Sequence, residues 1–144
     1  MHRKAFIKAC GLTCLGGTAL LSSMLESCSN TKTISGTIVD SDLVVPLSAF
    51  LTKGNEYRKY VVVHHDKLKY PICVYRFSAD QYSALLMRCP HQGAELQVFG
   101  DRLQCPAHGS EFSDKGAVQN GPADTNLRTF PITINNNQIN ISLK

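Results

Sequence analysis

Cys89-Pro90-His91-Gln92-Gly93-Ala94 and Cys105-Pro106-Ala107-His108-Gly109-Ser110-Glu111-Phe112 decide how this chain is read, with 13 residues between His91 and Cys105. One segment is C-x-H, the other C-x-x-H, and each Cys is followed by Pro. Each segment offers one thiolate and one imidazole. Thiolate sulfur is a soft ligand, and together with imidazole it suits iron–sulfur or zinc. A Cys2His2 zinc site is one way to use the four donors. Zinc knuckles usually space their ligands by two to four residues, and C-x-H is tight for that. A binuclear cluster suits two such pairs better, with two Cys on one iron and two His on the other.

Outward from this motif the chain reads as all-β. Short β-rich runs cover Ile34–Val39, Leu43–Leu47, Tyr60–Val63, Ile72–Phe77, Ala84–Arg88, Leu96–Phe99, Leu103–Gln104, Phe130–Ile134 and Ile139–Leu143. Gly36, Gly54-Asn55, Gly100-Asp101, Gly116 and Asn135-Asn136-Asn137 are turn signals between them. Ile132 and Ile134, then Ile139, Ile141 and Leu143, alternate with polar residues and predict a terminal hairpin with one buried face. Pro46 and Pro71 mark strand ends or edges. Ser78–Leu86 has room for one helical turn, and no long amphipathic helix is visible. The expected architecture is a small antiparallel sandwich or barrel.

With both loops and the strand rhythm in view, residues 34–144 resemble a Rieske 2Fe–2S protein. Cys89–Ala94 and Cys105–Phe112 look like that family's two cluster-binding loops, inserted as a subdomain at about 87–125. Gly121-Pro122-Ala123, with Leu127 just after, looks like its third, proline-bearing loop. The resemblance implies that Cys89 and Cys105 bind the inner iron and that His91 and His108 bind the outer iron near the surface. It also implies that Pro90 and Pro106 fix the loop backbone. Gly93 and Gly109 would let the backbone approach sulfur. Loop N–H groups would then donate to the sulfurs. Both irons have full protein ligation in this arrangement. The domain would pass one electron at a time and perform no bond chemistry.

The sequence departs from the respiratory type in four places. Rieske subunits of cytochrome bc complexes carry an extra Cys in each loop, joined by a disulfide; Ala94 and Ala107 stand there. The apolar residue after the first ligand His is Gln92. These features lean away from quinol docking and toward ferredoxin-like and oxygenase-type domains. Ser110 matches the respiratory Ser whose hydroxyl donates to a bridging sulfide, while the neighbouring Tyr of that type is Phe112. A donor to sulfur raises the potential, and Phe has no hydroxyl. One donor kept and one lost predicts about 0 to +200 mV, inside a family span of about −150 to +300 mV.

The N-terminal end has the layout of an export signal over residues 1–27. Arg3, Lys4 and Lys8 precede 17 uncharged residues, Ala9–Leu25, with small residues Ser22, Ser23 and Ser27 at and just past its end. As a helix that run spans about 25 Å, short of the ~30 Å hydrocarbon core, so a cleaved signal is favoured over an anchor. Arg3-Lys4-Ala5-Phe6-Ile7-Lys8 looks like a twin-arginine signal with Lys4 in place of the second Arg; an ordinary Sec signal is the alternative. Leu25-Glu26-Ser27-Cys28 resembles a lipobox, which implies lipid attachment at Cys28 and a tether over 28–33.

Composition bounds the rest. The 144 residues are enough for one ordinary domain and exclude a large multidomain enzyme. Net charge is +4 with scattered basic residues, which argues against nucleic acid as a partner. Cys73 reads as a buried inert thiol, His64-His65 as a solvated hairpin end, and Tyr57, Tyr60, Tyr70, Tyr75 and Tyr82 as packing residues. Lys53, Arg58, Lys59, Lys67 and Lys69 could form a basic face for an acidic redox partner. The leading expectation is an exported, membrane-tethered Rieske electron carrier on the periplasmic side. The alternatives are an electron-transfer subunit of an oxidoreductase such as a molybdenum oxidase or an oxygenase, a quinol-oxidising bc-type subunit, and a structural zinc domain.

Overall fold

The computed structural model describes residues 31–144. The leader at 1–27, Cys28 and all of the tether before Thr31 lie outside the described residues. The elements are β1 (Thr33–Ser35), β2 (Thr37–Val39), β3 (Asp42–Pro46), a 3₁₀ turn (Leu47–Phe50), β4 (Tyr60–His64), β5 (Ile72–Arg76), β6 (Tyr82–Leu86), β7 (Gln97–Phe99), β8 (Arg102–Gln104), β9 (Glu111–Ser113), β10 (Val118–Asn120), β11 (Thr129–Phe130), β12 (Ile132–Asn135) and β13 (Gln138–Ser142). They form three sheets, ordered β1-β4-β5-β6-β11, β12-β13-β3-β2 and β10-β9-β8-β7. The class is all-β, as the strand rhythm predicts.

The five-stranded sheet is the shared middle layer. Its strands carry continuous apolar runs, Val61-Val62-Val63 and Ile72-Cys73-Val74, because both faces are covered. Successive side chains point to opposite faces. Val61, Val63, Ile72, Val74 and Ala84 join one core, with Leu43, Val45, Phe50, Ile139 and Ile141. Val62, Cys73, Tyr75 and Leu85 join the other, with Cys89, Leu96, Leu103, Cys105, Phe112 and Leu127. The middle sheet therefore anchors the cysteine-bearing loops directly to the rest of the fold.

Local chemistry explains the element ends. Asn136 and Asn137 both adopt positive φ (50° and 60°) and close the β12–β13 hairpin, where Asn tolerates the left-handed region best among non-glycine residues. Pro46 ends β3 and Pro71 immediately precedes β5.

Three sequence expectations change. Ile34–Val39 is not one strand: it breaks at Gly36, with β1 pairing parallel to β4 and β2 pairing antiparallel to β3. A Cβ at Gly36 would lie 2.6 Å from Leu43 Cδ1 and 2.9 Å from Val63 Cγ1, so the chain crosses between sheets where only glycine fits. Ser78–Leu86 holds no helical turn. The Ser78 hydroxyl accepts from the Gln81 amide in a tight turn, and Tyr82–Leu86 is a strand paired to β5. Leu47 leaves β3 and opens the 3₁₀ turn.

Cys73 is fully buried between the sheets, and burial pushes its thiol well above the ordinary range. Burial does the same to the Tyr75 phenol, reinforced by the nearby Cys73. Both groups stay neutral when folded and ionise more easily when unfolded. Their stabilising contribution is complete below the ordinary values of about 8.5 and 10, and is lost as pH rises past them, by up to about 1.4 kcal/mol per pH unit for each group. Thermal unfolding midpoints are expected to fall above about pH 9. Cys73→Ala should flatten that slope; an unchanged slope would contradict the account.

Candidate metal centre

The two motif segments are built on one backbone frame. In the first, the Cys89 amide donates to Ala94 O at 2.8 Å and the Gly93 amide donates to Cys89 O at 2.8 Å. In the second, the Cys105 amide donates to Ser110 O at 2.8 Å and the Gly109 amide donates to Cys105 O at 2.9 Å. Gly93 and Gly109 hold φ of 80° and 81°, which L side chains rarely adopt. Among the described residues, apart from its two chain neighbours, nothing lies within 4 Å of a Cβ placed at Gly109. The requirement for glycine visible there is therefore the dihedral angle rather than crowding. The imidazole comes from the second residue after Cys89 and the third after Cys105.

The His91 and His108 rings are exposed, 5.0 Å apart between centroids and nearly perpendicular at 88°. Behind them Cys89 and Cys105 are 1% and 2% exposed, and neither is in a disulfide. The donors thus form an outer imidazole pair and an inner thiol pair. Among the described residues, no three His, Cys, Asp or Glu side chains converge on one ion position.

The sulfurs are surrounded by donors. Burial raises the Cys89 thiol, and although the His91 amide and the Ser110 hydroxyl pull the other way, it stays above its ordinary value. Burial also acts on Cys105, but the His108 and Ala107 amides and the Cys89 thiol outweigh it and draw Cys105 below its ordinary value. The two thiols share their protons as a pair, and these amides favour the thiolate, the form that binds metal. Two buried sulfurs with amide donors and two exposed imidazoles are the donor set that a mixed-ligand two-iron cluster requires.

Three neighbours complete the centre. Ser110 is fully buried, and its Oγ accepts the Ala123 amide at 3.0 Å, which ties the Gly121-Pro122-Ala123 loop to the second motif loop. Phe112 is fully buried beside the cysteines in the same core. Tyr70, expected only to pack, donates its hydroxyl to Gly93 O at 2.8 Å and so braces the first loop. No motif spacing signals that contact, because Tyr70 and Gly93 are 23 residues apart.

Comparison with known proteins agrees with the site. The family model described as Rieske [2Fe-2S] domain matches residues 43–131, which include both motif loops and the proline loop. Over 50 residues the chain is 46% identical to methylxanthine N1-demethylase NdmA of Pseudomonas putida, covering 33% of this chain and 14% of that protein. Over 72 residues it is 36% identical to the oxygenase component of dicamba O-demethylase from Stenotrophomonas maltophilia, covering 43% and 21%. The matched stretches thus span 14% and 21% of these curated relatives. The crystal structure of the plasma membrane Rieske protein PetC3 from Synechocystis PCC 6803 superposes with a TM-score of 0.51 and 28% identity, over 58% of this chain and 86% of that one. The chain belongs to the Rieske [2Fe–2S] family, an electron-transfer family whose cofactor is a Rieske-type 2Fe–2S cluster.

Proposed function

We propose that Cys89 and Cys105 hold the inner iron and His91 and His108 the outer iron, in a domain that relays single electrons for a separate redox partner. The observation that carries this reading is the buried thiol pair lying behind an exposed imidazole pair. When bound, the cluster supplies a one-electron couple. The chain's own residues do the rest. Leu96, Leu103, Phe112 and Leu127 exclude water from the sulfur end. The His91 and His108 rings form the short path from the interior to a docked protein. The amides of His91, Ala107 and His108 and the Ser110 hydroxyl favour negative charge on sulfur, which sets the potential.

Ser110→Ala removes one of those donors and leaves the buried Ala123 amide without its partner. The potential is expected to fall, and stability is expected to drop by about 1–3 kcal/mol. Redox titration and thermal melts check the two effects separately.

The carrier is exported and membrane-tethered in this reading. Residues 1–27 direct export, Cys28 is the acylated first residue of the mature protein, 28–33 is the tether and 34–144 the redox domain. A twin-arginine route suits a protein that folds around its cluster before export. Among the described residues, no helix is long and apolar enough to cross a membrane. Fractionation tests the tether. The wild-type chain is expected in the membrane fraction, with a lipid-modified N-terminal peptide beginning at Cys28, and Cys28→Ala should release it. An intact Met1 peptide in the cytoplasmic fraction would contradict export.

A second reading, an electron-transfer subunit for an oxygenase or another oxidoreductase, is favoured by the two demethylase relatives. Ala94 and Ala107 in place of the disulfide cysteines speak against a quinol-oxidising bc-type role.

A further inference from the structure

We infer that the loop joining β4 to β5, together with Arg88, forms the docking surface for the redox partner, and that this partner is a protein presenting an acidic patch. The inference rests on the electron-relay reading above.

The β4–β5 loop runs through His65-Asp66-Lys67-Leu68-Lys69-Tyr70. It is joined to the His91 loop by the Tyr70 hydroxyl, which donates to Gly93 O at 2.8 Å. Gly93 is two residues from His91. Arg88 lies against the same glycine: its Nε and Nη2 are each 3.4 Å from the position a Gly93 Cβ would take. The exposed imidazole edge and this loop are therefore neighbours on one end of the molecule.

That end carries free positive charge. The Lys69 ammonium sits 5.6 Å and the Arg88 guanidinium 5.9 Å from the Tyr70 ring centroid, inside the range of cation–π attraction. A π face holds a cation in place without neutralising it. Among the described residues the ion pairs are those of Arg102 with Asp101 and with Glu111, so Lys67, Lys69 and Arg88 keep their charge. The acidic groups on these elements are Asp66 and Glu95, the latter paired across from Arg88, so three cations stand against two carboxylates beside the His91 loop. Such a surface steers an anionic protein to the end where the electron leaves.

The test uses the full-length, cluster-loaded protein, reduced, with ferricyanide as an anionic probe. One electron passes from the protein to ferricyanide, giving ferrocyanide. The rate is compared for wild type, Lys67→Glu/Lys69→Glu and Lys53→Glu/Lys59→Glu. The two variants change the total charge equally. Lys59 lies at the opposite end of β4, roughly 15 Å away at strand rise. The Lys67/Lys69 variant is expected to react about tenfold more slowly than wild type at low salt, and the Lys53/Lys59 variant less than twofold more slowly. The difference should collapse at about 1 M salt, where the Debye length is ~3 Å. Equal rates for the two variants would overturn the inference while leaving the relay reading intact. A chain that binds no iron would overturn both. Cosedimentation with phosphatidylglycerol vesicles that depends on Lys67 and Lys69, with no change in the ferricyanide rate, would assign this face to the membrane and overturn the inference.

Discussion

Replacing Cys105 with Ser is expected to empty the protein of iron while leaving the sheets folded. Cys105 is the thiol that the His108 and Ala107 amides draw toward ionisation. A serine hydroxyl at this place is a hard donor that stays protonated near neutral pH, and it cannot replace a soft thiolate. The loop itself should persist, because its frame is main-chain: the residue 105 amide still donates to Ser110 O, and its carbonyl still accepts from Gly109. Iron content should fall to under about a tenth of wild type, as expected for loss of one of four cluster ligands. Far-ultraviolet circular dichroism should keep its β signature. Iron retained at wild-type level would contradict the assignment of Cys105.

Phe112→Ala should do the reverse, striking the framework first. Phe112 is fully buried in β9 and packs in the core that holds Cys89, Cys105, Leu103 and Leu127. Removing its ring leaves a cavity in a layer that the middle sheet cannot collapse, because that sheet is packed on both faces. The cost is about 3–5 kcal/mol. For a domain of this length that lowers the melting temperature by roughly 10–25 °C. Phe112→Leu keeps much of the volume and should cost less than about 1.5 kcal/mol. A melting temperature for Phe112→Ala within a few degrees of wild type would show that the ring does not carry the packing of this layer.

The two expectations differ in how visible their grounds are in the sequence. The thiols and imidazoles announce themselves because Cys and His recur in order, with Pro after each Cys. The paired Ile residues announce the terminal hairpin, since alternation has only one meaning for a half-buried strand. The cores are partly visible too. Runs such as Val61-Val62-Val63 say that a strand is covered on both faces, though not by what.

Other features could not be read. Strands Glu111–Ser113 and Val118–Asn120 are three residues each, mostly polar, and held by their neighbours rather than by their own pattern. Gly36 looks like a turn signal, but its need arises from Leu43 and Val63, two side chains supplied by other strands. The Ser110–Ala123 and Tyr70–Gly93 hydrogen bonds join residues 13 and 23 positions apart. Such contacts exist only once the sheets have stacked. The basic rim at Tyr70 belongs with them. Lys69 is visible as a charge, but its place beside Tyr70, which holds the His91 loop, is a product of the fold.

The central claim is a mixed-ligand two-iron cluster on Cys89, Cys105, His91 and His108. The most direct measurement is the electron paramagnetic resonance spectrum of the dithionite-reduced, full-length protein, with iron and zinc counted in the same sample. The account predicts a rhombic signal with mean g below the free-electron value, two irons per chain, and loss of the signal in His108→Ala. A silent spectrum from a protein that carries zinc and no iron would contradict it.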